Sequence, residues 1–179
     1  MARKTDLSNV KDLNNEQLIA IRERLEASKK TLVCFELDKV AYVTEMMHVN
    51  HAWLSFEQSS SGYRQARIRM NKMQKMALRN KLETRKLGEA DAIFNRYIER
   101  IKELNGGKLP KQLNRGHAYE CWLTEEAGQV WTPDNLPFWK GADLEVNGMT
   151  YQIKGEGAEY FNECNIANAL RWEAEQARA

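Results

Sequence analysis

The chain has 179 residues, of which 42% are hydrophobic and 29% charged, and its formal net charge is +2 at pH 7. This length fits one compact domain or two small ones, and no apolar run approaches the roughly 20 residues of a membrane span. The N-terminus lacks the apolar core of a signal peptide, and three widely spaced cysteines indicate a reducing compartment rather than a zinc motif. We therefore expect an intracellular protein, cytoplasmic or nucleoid-associated, without a signal peptide, a transmembrane segment or a membrane partner.

The first part of the chain is predicted to be mainly helical. Asn14 caps an amphipathic helix, and near-helical apolar spacing predicts further helices over residues 38–58 and 88–104. Between the first two, Thr31–Leu37 is ambiguous, because its composition permits a strand while its spacing also permits a helix.

The segment from Tyr63 to Lys86 carries nine Lys or Arg residues and one acid, a net charge of +8. Its spacing predicts one basic helix over residues 63–86, with the apolar side formed by Ile68, Met70, Met73, Met76, Ala77 and Leu82. A phosphate backbone is the natural partner of so many cations, whereas solvated helices usually interleave both signs of charge. Membrane-surface or partner-helix binding through the methionines is the alternative. The candidate DNA contacts in this segment are Arg64, Arg67, Arg69, Lys72, Lys75, Arg79 and Lys81.

The clearest break in the chain is Asn105–Pro110, with two glycines and a proline. We place a boundary there, between a mainly helical arm (residues 1–110) and an α/β core (residues 111–179). So small a core rarely buries enough apolar surface alone. It is expected to pack on the arm, with residues 31–37 completing its sheet if they form a strand, or else to pair in a homodimer.

The core begins with a predicted helix of about three turns that follows Arg115–Gly116 and ends near Gly128. A strand over residues 129–132 comes next. Two further strands are joined by Asn147–Gly148, the dipeptide that best fits a two-residue type I′ turn.

This turn places Asp143 opposite Gln152, and side-chain alternation puts Lys154 on the same face. A carboxylate is the oxygen ligand that Mg²⁺ prefers, and an amide oxygen can add a weaker ligand. A lysine can orient or activate a water and offset developing negative charge. The grouping suits metal-assisted attack on a phosphodiester, although many antiparallel hairpins simply expose one polar face.

The order Asp143, then Gln152-Ile153-Lys154, resembles the motif of the PD-(D/E)XK nuclease superfamily, in the variant with Gln for the second acid. Glu120, after Arg115–Gly116, looks like the helix glutamate of resolvase-like members that joins the metal site. The resemblance covers about residues 115–170 and implies a restriction-endonuclease-like fold with Mg²⁺ or Mn²⁺ as cofactor. It implies the catalytic residues Glu120, Asp143, Gln152 and Lys154, and metal ligands from Glu120, Asp143, Gln152 and the Ile153 carbonyl.

Two departures from the family pattern matter. The neutral Gln152 should lower metal affinity unless another acid, Glu145 or Glu156, compensates. The family's usual fourth strand, after the helix that follows Lys154, has no room before Ala179.

We therefore expect an α+β protein, with a helical N-terminal part followed by a small restriction-endonuclease-like core that has a short mixed sheet. Its expected function is metal-dependent cleavage of duplex or branched DNA, with Arg115 as a further DNA contact, and a homodimer would present two active sites to two strands. The alternative is a non-catalytic nucleic-acid- or protein-binding module that retains a degenerate nuclease-like fold. A third is a regulatory protein that binds a host enzyme through the methionine-rich helix.

Overall fold

The computed structural model describes residues 7–46, 49–133, 136 and 139–179, and the fold is α+β. The helices are α1 (Asn15–Leu25), α2 (Lys72–Arg79), α3 (Ala90–Leu104), α4 (Gly116–Glu126) and α5 (Glu163–Arg178), with 3-10 segments at Leu7–Asp12 and His51–Trp53. The strands are β1 (Lys29–Leu37), β2 (Val40–Met46), β3 (Leu54–Gln58), β4 (Arg64–Ile68), β5 (Thr84–Glu89), β6 (Leu144–Val146), β7 (Met149–Gly155) and β8 (Glu159–Asn162). Within these ranges no helix combines the length and apolarity needed to cross a bilayer.

The larger sheet is mixed, with five strands in the order β5-β2-β1-β7-β6. β1 is central, antiparallel to β2 and parallel to β7, with Thr31 opposite Gln152. The ambiguous segment 31–37 is thus a strand, and it completes the sheet of the C-terminal part as expected for that case. Because the strands come from both sides of residue 110, the predicted arm and core share one sheet.

The larger sheet separates two hydrophobic cores. Val33 and Phe35 of β1 face the core formed with α1, α5 and the smaller antiparallel sheet, whose order is β3-β4-β8. Cys34, which alternates with them, faces the core formed with α3 and α4. Ile153 of β7 also lies in this second core, so α4 covers the opposite face from α1.

The β6–β7 hairpin forms as the sequence predicts. Asn147 and Gly148 have φ values of 52° and 80°, the left-handed conformation that a type I′ turn requires at both positions. The register pairs Leu144 with Tyr151 and Val146 with Met149. The helix capped by Asn14 and the helices predicted at 88–104 and after Arg115 are confirmed as α1, α3 and α4.

The prediction of one helix over residues 63–86 is wrong. The segment consists of β4, α2 and β5. In β4, Ala66 and Ile68 are buried two residues apart, the period of a strand. Asn71 then starts a new helix through a capping box with Gln74, a local signal for a helix N-terminus in the middle of the segment.

The helix predicted over residues 38–58 is also wrong, because β2 and β3 lie there, and the first 110 residues are therefore not mainly helical. β1 and β2 are joined by a turn at Asp38 and Lys39, both with positive φ (51° and 67°). Asn-Gly is a strong sequence signal for such a turn, whereas Asp-Lys is not. The predicted strand at 129–132 is a loop, in which the Gln129 side chain donates to the carbonyl of Glu145 at 2.7 Å.

Candidate active site

A cleft of about 920 Å³ opens where the ends of β1 and β7 meet α4. Six of the predicted catalytic, metal-binding and DNA-binding residues line it, and so does Glu156, a predicted compensating acid; the six are Arg67, Lys75, Arg115, Glu120, Ile153 and Lys154. The cleft therefore joins part of the predicted catalytic group to part of the basic segment. Asp143 and Gln152 lie behind this lining, next to Ile153 and Lys154 in the β6–β7 hairpin.

Asp143 lies at the edge of β7, just before β6 begins. Its Oδ2 accepts a hydrogen bond from the backbone N–H of Ile153 at 2.8 Å, and its own N–H donates to the carbonyl of Tyr151 at 3.0 Å. Because the N–H and C=O of a strand residue point to the same side, the Ile153 carbonyl also points towards this edge. The carboxylate and that carbonyl, both predicted metal ligands, are thus held on one side of β7.

Lys154 is partly buried, and its Nζ donates to the carbonyl of Glu159 at 3.2 Å. Burial and, to a smaller extent, the nearby charge of Arg22 lower the pKa of Lys154 to about 8, against the opposite effect of the Asp143 and Glu120 carboxylates. The ammonium therefore interacts with both predicted carboxylates, although Glu120 comes from α4 on the other face of the sheet.

The Asp143 carboxylate is influenced by groups from both sides of the sheet. Burial raises its pKa, against the hydrogen bond from Ile153 and the charges of Lys154, Lys29 and His117. Burial has the opposite effect on the His117 imidazole, whose pKa it lowers, and the charge of Asp143 opposes that shift. His117, one helical turn before Glu120, thus belongs to the electrostatic surroundings of Asp143.

Gln152 is 7% exposed, and its Oε1 is a buried oxygen without a hydrogen-bond partner. A buried carbonyl oxygen without a donor is costly, and a cation is one group that satisfies it. Gln152 alternates with Ile153 and shares a strand face with Lys154, the face that α1 covers, so the unsatisfied oxygen lies on the side of Lys154 and across the sheet from Glu120. This fits the ligand role inferred from the resemblance.

Over the described ranges, no three carboxylate, imidazole or thiol side chains are gathered so as to hold a metal ion. The predicted set contains only two carboxylates, Glu120 and Asp143, with an amide and a backbone carbonyl as its other members. In a site of this composition, neutral oxygens would supply part of the coordination, and they bind a divalent cation more weakly than charged oxygens do.

The cleft also contains two acids that face each other across β1 and β7. The backbone N–H of Glu36 donates to Glu156 Oε1 at 3.0 Å, and the Tyr119 hydroxyl donates to Glu36 Oε1 at 3.1 Å. Glu156 Oε2 pairs with Lys75 Nζ at 2.7 Å. The sequence indicates Glu156 through its position after Lys154, but it gives no signal for Glu36, because only the β1–β7 pairing brings Glu36 here. Glu145, the other compensating acid considered, is exposed near the hairpin turn.

Apart from Arg64, the predicted DNA contacts separate into a group at the cleft and a group outside it. Arg67 and Lys75 face the cleft but are paired with Glu57 (2.6 Å) and Glu156. Arg115 is exposed, with its guanidinium 4.8 Å from the centre of the Phe94 ring. The remaining cations lie on α2 and its flanks, outside the cleft: Arg69, Lys72, Arg79 and Lys81.

Arg64 has a structural role. Its guanidinium contacts Glu163 at 3.0 Å, the carbonyl of Val10 at 3.1 Å and Asn15 at 3.3 Å. Its backbone N–H donates to Glu163 as well, at 2.8 Å. These contacts connect β4 to α5 and use the donors that a phosphate would need.

We expect Glu163→Gln to lower the free energy of unfolding at pH 7 by about 2 kcal/mol, because it removes the charge opposite a partly buried arginine. Burial raises the pKa of Glu163, but the hydrogen bonds from Arg64 outweigh this and the pKa lies below its ordinary value. The stabilisation is thus present above the unfolded-state pKa and is lost as the pH falls through the folded-state value.

Urea denaturation at pH 7 and at about pH 3 checks this. The difference in the free energy of unfolding between Glu163→Gln and the wild type should be smaller at the lower pH. Glu173→Gln is the matched control, since Glu173 lies on the same helix and pairs with Arg24 at the surface at 2.9 Å. That exposed pair should contribute less than about 1 kcal/mol. Equal losses in the two variants would contradict the structural role of Arg64.

Comparison with known proteins finds no matching family model, no similar curated protein and no similar solved structure. The likeness to PD-(D/E)XK nucleases therefore rests on the residues around Glu120, Asp143 and Lys154.

Proposed function

We propose that this protein is a metal-dependent DNA endonuclease that hydrolyses phosphodiesters in the cleft between β7 and α4. The observation that carries the proposal is the unsatisfied Gln152 oxygen, located in the same hairpin as the Asp143 carboxylate and the Lys154 ammonium. Buried polar side-chain atoms are mostly hydrogen-bonded, so an amide oxygen without a donor, next to a carboxylate and an ammonium, supports the proposal that a cation binds here.

In this proposal Asp143, Gln152 and the Ile153 carbonyl would hold the ion, with Glu120 contributing directly or through water. Mg²⁺ or Mn²⁺ supplies Lewis-acid stabilisation of the phosphoryl oxygens and lowers the pKa of a bound water. The hydrogen bond from the Ile153 N–H fixes the Asp143 carboxylate in place, so little reorganisation is needed when the ion binds.

Lys154 would orient the attacking water and offset the negative charge that develops on the phosphate. With a pKa of about 8, about a tenth of the amine is neutral at pH 7, and this form can accept a proton from that water. The Glu159 carbonyl, which accepts from Nζ, holds the side chain at the cleft. His117 is near enough to Asp143 to influence its charge and lines the same cleft.

One observation favours a non-catalytic binding module instead. Asp143 is surrounded by the positive charges of Lys154, Lys29 and Arg22, which could balance the carboxylate without any metal. In that case the cleft would bind phosphates and not cleave them.

Incubation of the purified protein with nucleic acids separates these functions. The substrates are supercoiled plasmid, branched DNA, circular single-stranded DNA and RNA, each with Mg²⁺ or with EDTA. We expect cleavage of DNA that requires Mg²⁺ and stops with EDTA. Binding without cleavage of any substrate, with Mg²⁺ or Mn²⁺ present, would favour the non-catalytic module.

A further inference from the structure

Large apolar side chains are exposed on α2 and just after it. Met73 is 81% exposed, Met76 is 41% exposed, and Leu82, just after the helix, is 97% exposed. The sequence predicts these residues on the apolar side of a basic helix, but the residue of α2 that enters the core is Leu78, at 2% exposure. Exposed apolar side chains grouped in this way indicate a binding surface.

Cations surround this apolar face. Lys72 and Lys81 are exposed and Arg79 is half-buried, and in the described part of the chain no carboxylate lies within ion-pair distance of any of them. By contrast, Lys75 of the same helix is directed to Glu156 in the cleft. One side of α2 therefore forms a wall of the cleft, and the adjoining side combines unpaired cations with apolar side chains.

A second pocket of about 620 Å³ continues from the cleft along α2. It is lined by Arg69, Asn71 and Gln74, and it shares Glu156 and Gly157 with the cleft. Gly157 has a φ of 73° and no side chain, and the Arg69 guanidinium lies about 3.4 Å from the position that a Cβ would occupy there. The second pocket therefore extends from the cleft to the N-terminal end of α2, where Asn71 and Gln74 form the capping box.

The chemistry of this face distinguishes single strands from duplexes. The outside of a duplex presents charged phosphates and polar groove edges, which would lose hydrating water against Met73, Met76 and Leu82 without gaining hydrogen bonds. A single strand presents both phosphates and the apolar faces of unpaired bases. Cations that alternate with apolar side chains therefore match an unpaired strand.

We propose that the surface formed by Lys72, Met73, Met76, Arg79, Lys81 and Leu82, here called the α2 surface, binds single-stranded DNA that enters the cleft. The proposal rests on the proposed function and adds its substrate class: an unpaired strand, or the unpaired part of a branched molecule. The bases would cover Met73, Met76 and Leu82, and the phosphates would lie against the cations.

The test compares the wild-type protein with the variant Met73→Ser/Met76→Ser/Leu82→Ser, which keeps every charge. Binding is measured by fluorescence anisotropy with a single-stranded oligonucleotide and with a duplex of the same length. We expect the wild type to bind the single strand about tenfold or more tightly than the duplex, and the variant to lose about tenfold in single-strand affinity with an unchanged salt slope. Its duplex affinity should change less than about twofold.

The matched control is Leu104→Ser/Leu109→Ser/Val130→Ser, which removes three other exposed apolar side chains and should leave single-strand affinity unchanged. A third arm uses vesicles containing phosphatidylserine. Equal wild-type affinity for single strand and duplex would overturn the proposal, as would an unchanged single-strand affinity in the α2-surface variant or a loss confined to vesicle binding.

Binding is measured without divalent ions, so it does not depend on cleavage. Single-strand binding that requires Met73, Met76 and Leu82 but never leads to cleavage would support the α2 surface and reject the nuclease. Mg²⁺-dependent cleavage without a preference for single strands would reject the α2 surface and support the nuclease.

Discussion

Asp143→Asn and Lys154→Met should each reduce Mg²⁺-dependent DNA cleavage by about a thousandfold or more, while DNA affinity changes by less than about threefold. The asparagine retains an oxygen that can accept from the Ile153 N–H but lacks the charge that a divalent ion requires. The methionine keeps the apolar stem of Lys154 but cannot orient a water or offset charge on the phosphate.

Single-turnover cleavage and anisotropy under the same conditions provide the two readouts. Asp91→Asn and Lys102→Met are matched controls, because both residues are exposed on α3 and lie outside the residues that line the cleft. Wild-type cleavage by both site variants would reject the assignment of this cleft. An equal loss in the control variants would attribute the effect to stability.

Replacing Arg69, Lys72, Arg79 and Lys81 by Gln should weaken DNA binding by about a hundredfold near 0.1 M salt and flatten its salt dependence, since each lost phosphate contact removes about 0.7 to 0.9 from the slope. In the described structure these four cations have no ion-pair partner, whereas Arg67 and Lys75 are held by Glu57 and Glu156. The unpaired cations therefore release the most counterions when phosphates bind.

A control with the same change in net charge replaces four cations that are paired with carboxylates elsewhere. These are Arg24, Lys30, Arg96 and Arg100. We expect this control to keep most of the affinity and the original salt slope. Equal losses in the two variants would mean that net charge alone, and not the surface around α2, determines DNA binding.

The sequence predicts those parts of the fold that local chemistry determines. Asn147–Gly148 determines the hairpin turn and its register, and through them the neighbourhood of Asp143, Gln152 and Lys154. The capping box at Asn14 similarly determines the start of α1. In both cases the signal lies within a few residues and does not depend on tertiary packing.

Pairing between distant segments could not be predicted in the same way. β1 is parallel to β7, about 120 residues away, and this pairing alone brings Glu36 to Glu156. The basic segment misled for another reason. Its methionines suit a buried helix face, but Leu78 and the strand residues Ala66 and Ile68 occupy the core, and Met73 remains in solvent.

The central claim is that Asp143, Gln152 and Glu120 can hold a divalent ion, and calorimetric titration with Mn²⁺ or Mg²⁺ tests it most directly. We predict that the wild-type protein binds the ion at one site, that Asp143→Asn abolishes binding, and that Gln152→Glu strengthens it about tenfold, because a charged oxygen replaces a neutral one. Absence of binding to the wild type at millimolar ion, or identical binding by wild type and Asp143→Asn, would contradict the claim.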